Sequence, residues 1–266
     1  MESDILELLT VNNPTEDVFL APGVKKIKVK TTKAFDPPES VLEKIEEVWE
    51  EEKAKTPHIT NGTVVGYVYG VDVYGIAEIG VAPVQFKHFL TSKFDRVPGY
   101  KQYAVGEGAV TKIRFKGDSY VLFAERGKKT GYDGGSIEII PQGLMDLKDI
   151  EVDDASEASV AREYREEIAG FPMPQTQKYL GIALNPWGLN VSPSYLFETD
   201  CRNSHDFIEE NSKKGFLKIR TPDRDETKRR FAVSIDVIEE YLTEVSKDVT
   251  WNSRARLRMA FNQGYI

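Results

Sequence analysis

The segment Ala158–Pro172, "ASVAREYREEIAGFP", crowds three carboxylates into five positions: Glu163, Glu166 and Glu167. On a helix, residues three and four apart are neighbours, and like charges at that spacing repel. Val160, Tyr164 and Ile168 recur every four residues, with Ala161 beside them, and make an apolar stripe. The spacing therefore predicts an amphipathic helix from about Ala155 to Ala169, with a core-facing stripe beside an acidic one. Asp153 and Asp154 open it, where the helix dipole favours negative charge. The three glutamates lie in its middle and C-terminal half, where the dipole gives no help. Arg162 stands four residues before Glu166 and can pair with it, holding one carboxylate in place.

Two readings of the acidic stripe are open. It is a solvated face, as many Glu-rich helical faces are, or it binds a hard divalent cation that turns the repulsion into binding energy. Oxygen-only ligands suit Mg²⁺, or Mn²⁺ in its place, which keeps several waters and takes up substrate phosphate oxygens. Upstream, "SIEIIPQG" reads as a strand ending in a turn at Gly143, where a glycine lets a backbone carbonyl approach a metal.

The strand, the Pro-x-Gly turn and the run Arg162, Glu163, Tyr164, Glu166, Glu167 together resemble the Nudix hydrolase superfamily. Its signature is G-x5-E-x7-R-E-U-x-E-E-x-G-U, with U a bulky apolar residue. Counting back from Arg162 puts Asp154 at the first glutamate. Ten residues rather than five then separate it from Gly143, and Ala169 replaces the late glycine. The resemblance implies that Glu163, Glu166 and Glu167, with the Gly143 carbonyl, hold the metal. It also implies that Arg162 orients the glutamates, which makes Arg162, Glu163 and Glu166 the candidate catalytic residues; a Glu163 not fully coordinated can take the proton from the attacking water. Over about residues 40–190 the order of features is similar to the UDP-glucose/galactose diphosphatases. That likeness implies a small-molecule nucleoside diphosphate derivative as substrate, a UDP-sugar first, cleaved between its phosphates. An ADP-ribose or dinucleotide pyrophosphatase is an alternative. So is a degenerate Nudix fold that binds a nucleotide as a sensor without chemistry.

Working outward, "KKIKVKTTKAF" alternates as a strand. "VLEKIEEVWEEEKAK" puts Val41, Leu42, Ile45, Val48 and Trp49 on one helical stripe. "NGTVVGYVYGVDVYGIAEIGVAP" reads as two strands turning around Gly70–Asp72, and "VQFKHFLTSKF" as a short helix. "YAVGEGAVTKIRF" and "SYVLFAER" are strands joined at Gly117–Asp118, with Gly106-Glu107-Gly108 marking a bulge. "QKYLGIALNP" and "PSYLFETD" follow as strands. "FIEENSKK" and "SIDVIEEYLTEVS" read as helices, and "SRARLRMAFNQGYI" as a last helix with a basic face of Arg254, Arg256 and Arg258. Strands interrupted irregularly by helices predict an α/β (α+β) protein with a Nudix-type mixed sheet and flanking helices. The segment "DRVPGYKQ" divides a small N-terminal α/β subdomain (1–97) from the hydrolase domain (98–266).

Other chemistry is sparse. Arg126, ending a strand beside the acidic helix, is placed to contact phosphate or to make a structural ion pair. Phe89 and Tyr103, with Phe86 and Tyr100, can stack on a base or fill the core. Glu198 is a second candidate base, while His58, His88 and His205 are scattered without matched partners. The net charge of −8 over 266 residues argues against a nucleic-acid partner, which needs a broad positive field. One cysteine, Cys201, precludes an intramolecular disulfide. The start "MESDILELL" has no basic leader, and no apolar run is long enough to span a bilayer. A cytoplasmic location is expected, no membrane partner, and a homodimer is allowed.

Overall fold

The computed structural model describes residues 26–34, 36–57, 59–73, 76–93, 96–127, 134–168, 170–185, 190–201, 208–210, 215–220 and 227–266. Several expectations lie outside these residues: those for the first 25 positions, most of the "GKKTGYDGG" loop, His58, Ala169 and His205. No helix among the described residues is long and apolar enough to cross a membrane.

Twelve strands join in one mixed sheet among the described residues. They are β1 (Lys26–Thr31), β2 (Thr63–Val73), β3 (Ile76–Gln85), β4 (Tyr103–Phe115), β5 (Asp118–Arg126), β6 (Ile137–Ile139), β7 (Gln142–Leu144), β8 (Thr176–Asn185), β9 (Asn190–Asp200), β10 (Ile208–Glu210), β11 (Phe216–Ile219) and β12 (Thr227–Ser234). The main path runs β1-β3-β2-β4-β5-β12-β11-β10, with β9 and then β8 added along β4. The β1–β3 and β4–β9 pairs are parallel and the rest antiparallel. The helices are α1 (Glu39–Lys55), α2 (Phe86–Lys93), α3 (Ala155–Glu167), α4 (Ile238–Val245) and α5 (Trp251–Asn262). The mixed α+β architecture and the flanking helices follow the sequence reading.

Alternation along the central strands makes two cores. On one face Ala109, Ile113, Leu122, Ala124 and Phe197 pack against Val160, Tyr164 and Ile168 around α3. On the other, Val110, Val121, Phe123 and Leu196 pack against α4 and α5 through Tyr241, Leu242, Leu257 and Met259. Successive strand residues point to opposite faces, so a sheet covered on both sides is apolar at nearly every position.

Four local readings are corrected. The strand β2 continues through Gly70–Asp72 to Val73. Gly70 makes room rather than a turn, as does Gly80 on β3, opposite Tyr69: a Cβ at Gly80 would meet the Tyr69 ring at 2.1 Å, and one at Gly70 the Tyr67 hydroxyl at 2.8 Å. The β4–β5 turn is made by Lys116 and Gly117, both at positive φ (52° and 97°), the signature of a two-residue type I′ hairpin. Part of "FIEENSKK" is strand, because Ile208–Glu210 pairs with β11. Leu42 is 40% exposed, so the α1 stripe is narrower than its apolar residues suggest.

Candidate functional site

Strands β4 and β5 pair only over Lys112–Phe115 and Asp118–Val121, and beyond that they part. The segment from β6 through Pro141 to β7 fills the opening. Its β6 half pairs with β5, placing Glu138 opposite Ala124, and its β7 half pairs with β4, placing Gly143 opposite Glu107. Glu107 and Glu138 both fall on the sheet face beneath α3, the former in register with Ala109 and Ile113. Glu163 and Glu167 come down from α3 onto the same place.

Gly143 is held there by space. A Cβ on it would lie 2.1 Å from Glu163 Oε1 and 2.2 Å from its Cδ. The Glu163 carboxylate thus occupies the volume that any other residue at 143 would fill. Gly143→Ala is expected to cost about 1–3 kcal/mol by overpacking and to drive the Glu163 carboxylate off the turn. Denaturant melts and a crystal structure of the variant check both parts.

Arg162 is the organiser of the acidic stripe. Its Nε and Nη2 donate to Asp149 at 3.2 and 2.9 Å, Nη1 to Glu163 Oε1 at 2.7 Å and to Glu166 at 3.4 Å, and Nη2 to the Leu144 carbonyl at 3.2 Å. The expected pairing with Glu166 is present but is the longest of these. Glu166 itself is exposed. Asp154 is not the acid that meets Arg162. It is half exposed at the start of α3 and pairs with Lys26 at 2.5 Å. Asp149, on a short 3-10 turn (Asp149–Glu151), takes that part. Asp149 stands six residues after Gly143, and twelve residues separate it from Arg162.

Burial shapes the electrostatics. It works to raise Asp149, but hydrogen bonds from Arg162, the Asp146 backbone N–H and Ser159 outweigh it and hold that carboxyl below its ordinary value. Glu163 is raised by burial, with Arg162 opposing and Glu166 and Asp149 adding repulsion. Glu167 is raised well above its ordinary value by burial and by the nearby Glu138, against one hydrogen bond of 2.9 Å from the Gln142 N–H. Glu138 is raised by burial despite its 2.9 Å bond from Arg126 Nη1. Glu107, fully buried, is pushed up to about 8 by burial, with Ser159 partly offsetting. Neither Glu107 oxygen has a hydrogen-bond partner of good geometry.

Sequence reasoning passed over Glu107, Glu138, Gln142, Asp149 and Arg256. Two of them had a visible signal: a single carboxylate inside an otherwise apolar strand, in "VGEGAV" and in "IEII", is a buried charge in need of a reason. Arg256 also corrects the basic face expected of α5, because it is 1% exposed and turned into the protein.

The other candidates lie apart. Arg126 borders the site through Glu138 as an ion pair. Phe89 is buried at 8% exposure against Phe86, Ala104 and Tyr103, so its ring is a core element and not an open stacking face. Tyr103 makes an edge contact with Tyr67 and sits four residues before Glu107 on β4, roughly 13 Å away along the strand. Glu198 pairs with Lys112 in register, five residues beyond Glu107, roughly 16 Å along the strand. It lines a polar cleft with Lys112, Arg114 and Asp200. His88 is satisfied by the Tyr100 hydroxyl at 2.8 Å.

Among the described residues no group of three or more His, Cys, Asp or Glu side chains is already gathered as a metal-holding set. The chemistry of the donors fits a hard cation all the same. Every candidate is a carboxylate, and burial or a like charge raises Glu163, Glu167 and Glu138. Each is a place where added positive charge is favoured. Glu163 and Glu166 would have to turn partly from Arg162 to join Glu167.

No protein-family model and no curated protein matches the chain. Solved structures of similar shape include a NUDIX hydrolase from Alicyclobacillus acidocaldarius, at 12% identity and TM-score 0.43, covering 61% of this chain and 96% of that one. The NUDIX domain of Shewanella oneidensis NrtR, complexed with ADP ribose, is similar at 13% identity and TM-score 0.42, covering 63% and 92%. A C. elegans Ap4A hydrolase is similar at 14% identity and TM-score 0.36, covering 60% and 98%. At these identities and scores no residue's role passes from those proteins to this chain.

Proposed function

We propose that the protein is a magnesium-dependent hydrolase of Nudix type. It cleaves the diphosphate bridge of a nucleoside diphosphate linked to another moiety, a UDP-sugar first, to a nucleoside monophosphate and a sugar phosphate. The observation that carries this reading is the convergence of Glu163 and Glu167 on the Gly143 turn, over the buried carboxyls of Glu107 and Glu138, with burial raising all four above their ordinary range. A merely solvated acidic face has no reason to turn its glutamates inward.

Glu163 and Glu167 would hold the cation directly, Glu166 through one oxygen or a water, and the Gly143 carbonyl as a further oxygen ligand. Bound there, a divalent cation activates a water and neutralises charge on the diphosphate under attack. Arg162 fixes Glu163 and Glu166 in orientation. Glu163 is the first candidate to take the proton from the attacking water. Arg126 can turn from Glu138 to a phosphate oxygen, since guanidinium matches phosphate geometry.

The test is a substrate panel with Mg²⁺ present and absent: UDP-glucose, ADP-ribose and a dinucleoside polyphosphate, with monophosphate products followed by chromatography. Mg²⁺-dependent release of UMP supports the first reading. Preferential cleavage of either other substrate replaces the UDP-sugar. Tight nucleotide binding without turnover of any of them supports a sensor instead.

A further inference from the structure

Arg256 is the largest fully buried side chain among the described residues, and it enters the sheet from the face opposite α3. Gly108 admits it: a Cβ there would lie 2.5 Å from its Cζ, 2.6 Å from Nη1 and 2.7 Å from the Pro141 carbonyl. Its Nη1 donates to Gln142 Oε1 at 2.6 Å, and its Nη2 donates to the Ser192 hydroxyl. No carboxylate within ion-pair distance of it is found among the described residues. Burial therefore lowers it to about 10, with only the more distant Glu107, Glu138 and Glu167 opposing. A guanidinium buried against neutral partners is costly, and such a group needs a reason to stay.

Gln142 supplies the reason. Arg256 grips one end of its amide. The other end, Nε2, donates to Glu138 Oε2, and the backbone N–H of the same residue donates to Glu167 Oε2 at 2.9 Å. One residue thus touches two acids beneath α3, and its side chain is oriented from the far side of the sheet. An amide has two distinguishable ends. A donor on Oε1 leaves Nε2 for Glu138, and Arg256 is that donor, so the two contacts select the same amide orientation.

We propose that Arg256 is a positioning residue, which acts through Gln142 to set the Glu138 and Glu167 carboxylates for the cation and substrate. The role rests on the hydrolase reading above. It gives the terminal helix α5 a part in the site although it lies behind the sheet.

Arg256→Met, Gln142→Ala and the double variant are compared with the wild type for Mn²⁺ affinity, read from free Mn²⁺ by electron paramagnetic resonance. A residue that orients ligands from behind typically costs about 10–100-fold in metal affinity, and that loss is expected in each single variant. The double variant should lose no more than the worse single one, because both act through one chain of contacts. Arg256→Lys, which keeps the charge but not the forked geometry, should recover only part. Wild-type affinity in Arg256→Met, or losses that add in the double variant, overturns the proposal. Hydrogen exchange of the Gln142 amide separates this from failure of the hydrolase reading. If the wild type neither binds Mn²⁺ nor turns over substrate, exchange at Gln142 at least tenfold faster in Arg256→Met, with the Ala109 amide unchanged, still supports positioning. Unchanged Gln142 exchange overturns it.

Discussion

Glu167→Gln is expected to lower turnover of the diphosphate substrate by roughly 10²–10³-fold, the equivalent of several kcal/mol of lost charge stabilisation around a bound cation. The reason lies in what glutamine keeps and what it loses. Its carbonyl oxygen can still accept the 2.9 Å bond from the Gln142 N–H, so the helix end stays seated on the turn. Its amide nitrogen cannot ligate a hard cation. The metal-free variant should melt no lower than the wild type, because the substitution removes a carboxyl whose ionised form is disfavoured by burial, Glu138 and Glu163. Loss of activity with retained or raised stability is the outcome to look for in paired kinetics and thermal melts. Glu166→Gln, on an exposed side chain, is the internal comparison and should cost less. Full activity in Glu167→Gln would remove the carboxylate cluster from the chemistry.

How much of this was legible in the sequence depends on where each signal resides. The acidic helix was, since two stripes at a helical period declare its core face and set its carboxylates side by side within one segment. Its observed end at Glu167 lies within two residues of the expected one. The residues that answer it come from β4, β6 and the 3-10 turn, and no local period links them. Asp149 is the clearest case. Counting back from Arg162 selects Asp154, counting forward from Gly143 selects Asp149, and only the folded loop chooses between them. Arg256 was hidden for another reason. Its neighbours Arg254 and Arg258 suggested a solvated basic face, but the space that receives its guanidinium is made by a glycine about 150 positions earlier. The strand β12 was missed because "KRRFAVS" begins with two exposed cations, Lys228 and Arg229. It forms strand because it fills the edge of β5, with Phe231 opposite Phe123.

Glu107→Gln is expected to stabilise the metal-free protein at pH 8 by on the order of 3–5 kcal/mol as a ceiling, or about 5–10 °C in melting temperature. The sign follows from the proton count. The Glu107 carboxyl titrates at about 8 in the folded protein against an ordinary 4.5, so between those values the native state holds a proton that the unfolded chain has released. Stability that is present below pH 4.5 is therefore lost as pH rises toward 8. The groups facing Glu107 do not reverse this. Arg162 opposes the shift, but Asp149 and Glu163 on the same side add to it. Behind the sheet, Arg256 is itself lowered by burial. Glutamine cannot ionise, so the difference between the two melting curves, measured in chelator from pH 5 to 8, isolates this one carboxyl from Glu138, Glu163 and Glu167. The curves should coincide near pH 5 and diverge upward, with the variant the more stable. A variant that melts lower than the wild type at pH 8 would mean that Glu107 is held as a carboxylate by a positive partner. The buried acid would then be a paired structural charge rather than a proton store beside the site.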